Sequence, residues 1–453
     1  MSCDAFKRHL AEIDRRSFLR AGMLGTGLAL SDVLRAEAAV PARRTTSVII
    51  LWMRGGPSHI DLWDLKPDAP VEFRGEFSPI RTKVPGIHIS EHLPLSAKIM
   101  DKWSIVRSLH HSTRYGMADH SSGDQICFTG YGAAPDPAHN IHPSVGSVVS
   151  EQLQESNPRI PAYVMVPRMV PGTDASYLGA AYRPFETLAD PGDLRPFSVP
   201  NLAMPEGLGI GQLRDRASLL DSLDRLERQL DKSGTMDAMD KFHRRAMEIV
   251  TGPEARQAFD LEAESRATRD RYGFFEAYTP RMRAAGDRPQ WSQRMLLARR
   301  LVEAGVRLVT VDCRWWDTHE DNFHALKNAF LPMWDRAYSA LIEDLDQRGL
   351  LESTLVVAWG EMGRSPRISE NAGRDHWPHA MAAAIAGGRV VGGRVVGATD
   401  DKGQAPKENA KVPQDVLATI YRHLGVDYTK NYLDHQGRPH PVLPEGSPIT
   451  ELF

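Results

Sequence analysis

Cysteine is scarce. The chain holds three, and Cys3 lies close to the amino terminus, so a disulfide framework is excluded as the source of stability. Cys127 and Cys313 are left either to pair in an oxidising compartment or to be buried as thiols. An excess of either charge is also missing: the formal net charge is -3 and the pI is near 6.6. Without a basic field there is nothing to draw a polyanion, which argues against a nucleic-acid partner. Beyond the amino-terminal region no stretch offers about 18 uninterrupted apolar residues, so no stable membrane span is expected. Nor is there a repeat with a period of about 20 to 50 residues, the mark of a solenoid or propeller.

What is present begins with Asp14-Arg15-Arg16-Ser17-Phe18-Leu19-Arg20, a twin-arginine signature. A modest apolar stretch from Ala21 to Leu30, broken by Gly22, Gly25 and Gly27, leads to Ala36-Glu37-Ala38, a small-residue cleavage site. Residues 1–38 read as a removable twin-arginine (Tat) signal, with the Tat translocase as partner during export and a periplasmic or extracellular destination. That route carries proteins already folded, which suits a chain that acquires a metal before leaving the cytoplasm.

Along the rest of the chain, Ser47–Met53, Ile105–Ser108, Ala162–Val166, Arg307–Val311 and Thr354–Trp359 are short, largely unalternating apolar runs. Runs of this kind predict strands buried on both faces of a parallel sheet. Helical spacing of apolar residues over about 285–306, 326–350 and 413–424 places helices between them, so a doubly wound α/β sheet is expected. From Leu213 to about residue 275 the chain is charge-dense, with Leu219, Leu220, Leu223, Leu226 and Leu230 on one stripe, and reads as a helical insertion. Gly392-Gly393, between Arg389-Val390-Val391 and Arg394-Val395-Val396, reads as a hairpin turn.

Ligands of such sheets bind beyond the carboxyl ends of the strands. Three stretches there gather carboxylates, two of them with imidazoles and one with an arginine: Asp312 with Asp317-Thr318-His319, Asp375-His376-Trp377-Pro378-His379, and Glu361 with Arg364. Mixed nitrogen and oxygen donors without a thiolate cluster suit zinc, manganese, iron or magnesium. The turn after the first strand adds His59, Asp61 and Asp64. A further polar group, His110, His111, Asp119, His120, Ser121, Ser122 and Asp124, stands where a helix begins. There a serine is either a nucleophile or a helix cap. Trp315, Trp316 and Trp377 are either packing residues or a sugar platform.

As a set, Gly55-Gly56-Pro57-Ser58-His59-Ile60-Asp61, Asp317-Thr318-His319, Gly360-Glu361-Met362-Gly363-Arg364 and Gly373-Arg374-Asp375-His376-Trp377 resemble the Tat-exported, sulfatase-like family of unknown function DUF1501, within the alkaline-phosphatase superfamily. The likeness runs from about 45 to 440. It implies an alkaline-phosphatase-like sandwich, with a central mostly parallel sheet flanked by helices and the insertion at 213–275. It further implies a divalent metal (zinc, calcium, manganese or magnesium) among His59, Asp61, Asp119, Asp317, His319, Glu361, Asp375 and His376. His120, Ser121, Arg364 and Arg374 are the candidate catalytic residues, with Arg364 or Arg374 expected to hold a non-bridging oxygen of an anionic small-molecule or polysaccharide ester substrate.

Three departures from the superfamily pattern stand out. No Cys or Ser is followed by x-Pro-x-Arg, so the formylglycine of conventional sulfatases has no precursor here, and His120 rather than a serine follows Asp119. Glu361, moreover, is followed by no histidine. The expectation is an exported metal-dependent hydrolase of phosphate or sulfate esters using Ser121 or an activated water. The alternative is a non-catalytic binding or scaffold protein with a structural or empty metal site.

Overall fold

The computed structural model describes residues 45–117, 119–136, 138–154, 157, 159–193, 197–202, 252–274 and 291–453. An eight-stranded sheet forms the centre. Its strands are β1 (Ser47–Trp52), β2 (Trp103–Leu109), β3 (Tyr163–Val166), β4 (Phe185–Glu186), β5 (Leu308–Asp312), β6 (Thr354–Trp359), β7 (Met381–Gly387) and β8 (Val395–Val396). They lie in the order β8-β2-β7-β6-β1-β5-β3-β4. All run parallel except β7, which is antiparallel to both of its neighbours, β6 and β2.

Burial on both faces explains the unalternating runs. Ile49, Leu51, Val309, Val311, Val356 and Ala358 enter one apolar cluster, while Val48, Ile50, Trp52, Leu308, Leu355, Val357 and Trp359 enter the other. Each such side chain taken fully out of water contributes roughly 1.5–3 kcal/mol. Helices cover both faces. On the second lie α1 (His120–Thr129), α2 (Val145–Leu153) and, after the last strand, Pro413–Leu424; on the first lie α3 (Trp291–Glu303) and α4 (Leu331–Gln347), which lets Pro413–Leu424 be α5. The expected α/β class, a mostly parallel sheet flanked by helices, is what forms.

Other expectations are corrected. Met381–Gly387, which the sequence pattern does not single out, is a central strand. Its MAAAIAG composition carries little β-propensity, and burial against both neighbours overrides it. Gly392-Gly393 makes no hairpin. Val395–Val396 pairs with β2 in parallel instead, and Val391 is tied elsewhere, its N–H donating to Leu452 O at 2.8 Å. Residues 203–251, most of the expected insertion including its leucine stripe, lie outside the described residues, and the rest contains short helices at Pro253–Phe259 and Arg266–Tyr272. Cys127 and Cys313 are both buried and free. Among the described residues no helix is long and apolar enough to cross a membrane.

The single reversed strand decides where chemistry gathers. The carboxyl ends of β1, β2, β5 and β6 open on one edge of the sheet, and because β7 runs the other way its amino end opens there too. Residues 375–380, which precede β7, therefore meet residues that follow β1, β5 and β6.

Candidate metal centre

Asp317 is the hub. It follows β5 by five residues, in a loop drawn against the turn after β1. Gly55 in that turn has φ +107, and a Cβ there would stand 2.5 Å from Asp317 N and 2.6 Å from Trp316 N, so only glycine lets the two loops meet. Around the Asp317 carboxylate lie His319 Nε2 at 3.0 Å, His120 Nε2 at 3.3 Å and His376 Nε2 at 3.4 Å, together with the Arg364 guanidinium. His319 Nε2 and His376 Nε2 are 3.1 Å apart, and His319 Nδ1 faces Asp375 Oδ1 at 2.9 Å. The carboxylate lies well below its ordinary pKa: burial, the largest single cause, raises it, but hydrogen bonds from His120 and His376 and the charge of Arg364 outweigh burial.

His120 opens α1. Asp119 is the cap of that helix, accepting from Ser122 N at 2.8 Å while Ser122 Oγ accepts from Asp119 N at 2.9 Å. His120 Nδ1 donates to Glu361 Oε1 at 2.5 Å as its Nε2 faces Asp317, so both ring nitrogens meet carboxylates. Burial depresses its pKa most, yet those two hydrogen bonds and charges carry it up to about 9. Glu361, fully buried, also accepts from Gly55 N at 2.8 Å, and its buried Oε2 finds no hydrogen-bond partner among the described residues.

Within this arrangement His120, Asp317 and His376 each offer one ligand atom, all within 4.8 Å of one another. Two imidazoles and a carboxylate, with a third imidazole touching two of them, fit a divalent cation of the zinc or manganese kind better than calcium, which prefers oxygen. Of the residues expected from sequence, His120, Asp317, His319, Glu361, Asp375 and His376 converge.

Others do not. Asp61 is buried under Arg374, whose Nε and Nη2 reach its oxygens at 2.7 and 3.0 Å, and it accepts further from Ser58 at 2.6 Å and Asn322 at 2.9 Å. His59 is buried with Nε2 on Gly403 O at 2.8 Å. Asp119 is spent on capping. Arg374 and Arg364, expected to grip substrate, are both fully buried. Arg374 gives its remaining donors to the carbonyls of Ser365, Pro366 and Phe73. Arg364 gives its own to Asp317 and to the carbonyls of Gly55, Gly56 and Arg374. Arg364 is a positioning residue for Asp317. Trp316 is buried and stacked on Trp291 with ring centroids 5.0 Å apart, which removes it from any sugar platform.

Sequence reasoning passed over two features. Arg54, given no role from sequence, donates through Nε to buried Asp124 at 2.7 Å, an oxygen pair that also receives Trp52 Nε1 at 3.0 Å. Burial and the neighbouring Glu361 push Asp124 up while Arg54 restrains it, leaving it at about 7. The signal was available, since Asp124 sits one turn beyond His120 on the same helix face. His111 was noted without a role. Its Nε2 donates to Glu361 O at 2.5 Å, and burial drives its pKa down to about 4.

A mostly parallel α/β sheet with a histidine–carboxylate cluster beyond its strand ends defines the class: an α/β protein with a candidate metal centre on its carboxyl edge. More particularly, residues 45–453 match the family described as "Protein of unknown function (DUF1501)", and the chain belongs to that family. No curated protein is similar enough to match. Among solved structures, the chain resembles the lipoteichoic acid synthase LtaP from Listeria monocytogenes at 9% identity, covering 85% of this chain and 73% of that one with a TM-score of 0.36. It resembles a sulfatase from Pseudoalteromonas sp. at 11% identity, covering 88% and 71% with a TM-score of 0.37. A phosphonate monoester hydrolase from Silicibacter pomeroyi follows at 11% identity, covering 90% and 76% with a TM-score of 0.34.

Proposed function

We propose that this protein is an exported, metal-dependent hydrolase of phosphate or sulfate esters. The observation that carries the reading is the convergence of His120, Asp317 and His376 within 4.8 Å, assembled from three distant segments of the chain. His120, Asp317 and His376 would hold the cation, with His319 beside them. When bound, a divalent cation supplies Lewis-acid polarisation of an ester oxygen and makes a nearby oxygen nucleophile more acidic. The chain's own groups do the rest. Arg364 and Asp375 fix Asp317 and His319 in place, Glu361 orients His120, and Ser121, next to His120 in the first turn of α1, is the candidate side-chain nucleophile.

The test is elemental analysis of the mature protein purified without chelator, paired with turnover of p-nitrophenyl phosphate and p-nitrophenyl sulfate. Near-stoichiometric metal and measurable turnover are expected in the parent. His376→Ala and Asp317→Ala should lose both, and turnover that survives both substitutions would sink the proposal. A second reading, a non-catalytic relative of the same fold, is favoured by the way Arg364 and His120 already neutralise Asp317. Metal-free parent protein with an unchanged fold and no turnover would select it.

A further inference from the structure

We infer that Arg54 is the group that grips the substrate's tetrahedral oxyanion, an inference that rests on the ester-hydrolase reading and names what that site recognises. Arg54 lies two residues beyond the end of β1 at the carboxyl edge and is tied to the metal centre from three sides. Its carbonyl accepts from Trp316 N at 3.0 Å, one residue before Asp317. The next residue, Gly55, donates to the same Glu361 Oε1 that receives His120. Its side chain meets Asp124, one helical turn beyond His120.

The donors of Arg54 are divided. Nε is held by Asp124, and neither Nη donates to any of the described residues; the side chain is 14% exposed, so that edge reaches solvent. Arg364 and Arg374 differ from it in having no exposure and in spending their donors on carbonyls and carboxylates. A guanidinium anchored through one nitrogen, with its remaining fork open, is pre-oriented for two parallel hydrogen bonds to an oxyanion, and little side-chain entropy is left to lose.

The experiment is titration calorimetry on zinc-loaded mature protein with inorganic phosphate and, separately, sodium sulfate. Arg54→Met leaves Asp124 buried and unpaired, so the Arg54→Met/Asp124→Asn double variant and Arg54→Lys accompany it, with zinc content and thermal midpoint as controls. Anion Kd should rise at least about tenfold in the double variant, the size of one lost charge-assisted contact, at unchanged zinc content. It should rise less in Arg54→Lys. A Kd that rises in the double variant for phosphate alone, sulfate alone or both supports the inference and identifies the anion. Equal Kd in parent and double variant, or no anion binding by the zinc-loaded parent, overturns it. Ester turnover untouched in the double variant keeps the hydrolase reading and rejects the role of Arg54. Arg54-dependent anion binding without turnover of any ester does the reverse.

Discussion

At the scale of single residues, the sequence named the right kinds of side chain and misjudged which were free. A buried arginine must find acceptors for all five donors, and Arg374 finds them in Asp61 and three carbonyls. Removing one partner of such a pair strands a charge out of water. Arg374→Met is therefore expected to lower unfolding free energy by about 3–5 kcal/mol in denaturant melts. A loss below 1 kcal/mol would show that the pair holds little. His142 provides the pH test at this scale. It stacks on Tyr131 with ring centroids 3.7 Å apart, and burial, reinforced by the charge of His440, pulls its pKa down to about 4 from 6.5. A depressed histidine is neutral in the fold and protonates more easily in the unfolded chain. Its contribution to stability is thus complete above pH 6.5 and lost as pH falls from 6.5 towards 4. His142→Phe should flatten the pH dependence of stability across that window, and an unaltered slope would refute the assignment.

At the scale of elements, strands buried on both faces were legible because nothing in them has to alternate. β7 was not legible. Alanine and glycine state no preference, and only the two neighbouring strands make that segment extended. Loop contacts were equally hidden, because they depend on what lies opposite. Gly373 is such a contact: a Cβ there would stand 1.8 Å from His319 O. Gly373→Ala must push the 317–320 loop away from the segment leading into His376. We expect a loss of about 1–3 kcal/mol from overpacking, together with weaker metal retention. A variant that keeps full metal content would show that the loops adapt without moving His319.

At the scale of the whole molecule, the candidate centre draws on residues distant in the chain, such as His120 and Glu361, 241 positions apart, so metal binding there would be coupled to folding. A cation that binds only the folded chain adds about 2.7 kcal/mol at a hundredfold excess over Kd. Zinc or manganese should accordingly raise the thermal midpoint of the parent, EDTA should reverse the rise, and His376→Ala should abolish it. Export is tested separately: replacing Arg15 and Arg16 by lysine should trap uncleaved precursor in the cytoplasm, and normal secretion of that variant would exclude the twin-arginine route.

The sequence by itself determined the strand–helix alternation, the choice of nitrogen and oxygen donors and the absence of a disulfide framework, since composition, periodicity and short motifs are local properties. The tertiary structure decided which carboxylates are consumed in buried ion pairs, which arginine keeps a free edge, and that a strand reversed against its neighbours carries His376 to Asp317. Those outcomes depend on which atoms face one another after the sheet has closed, and spacing along the chain does not specify that.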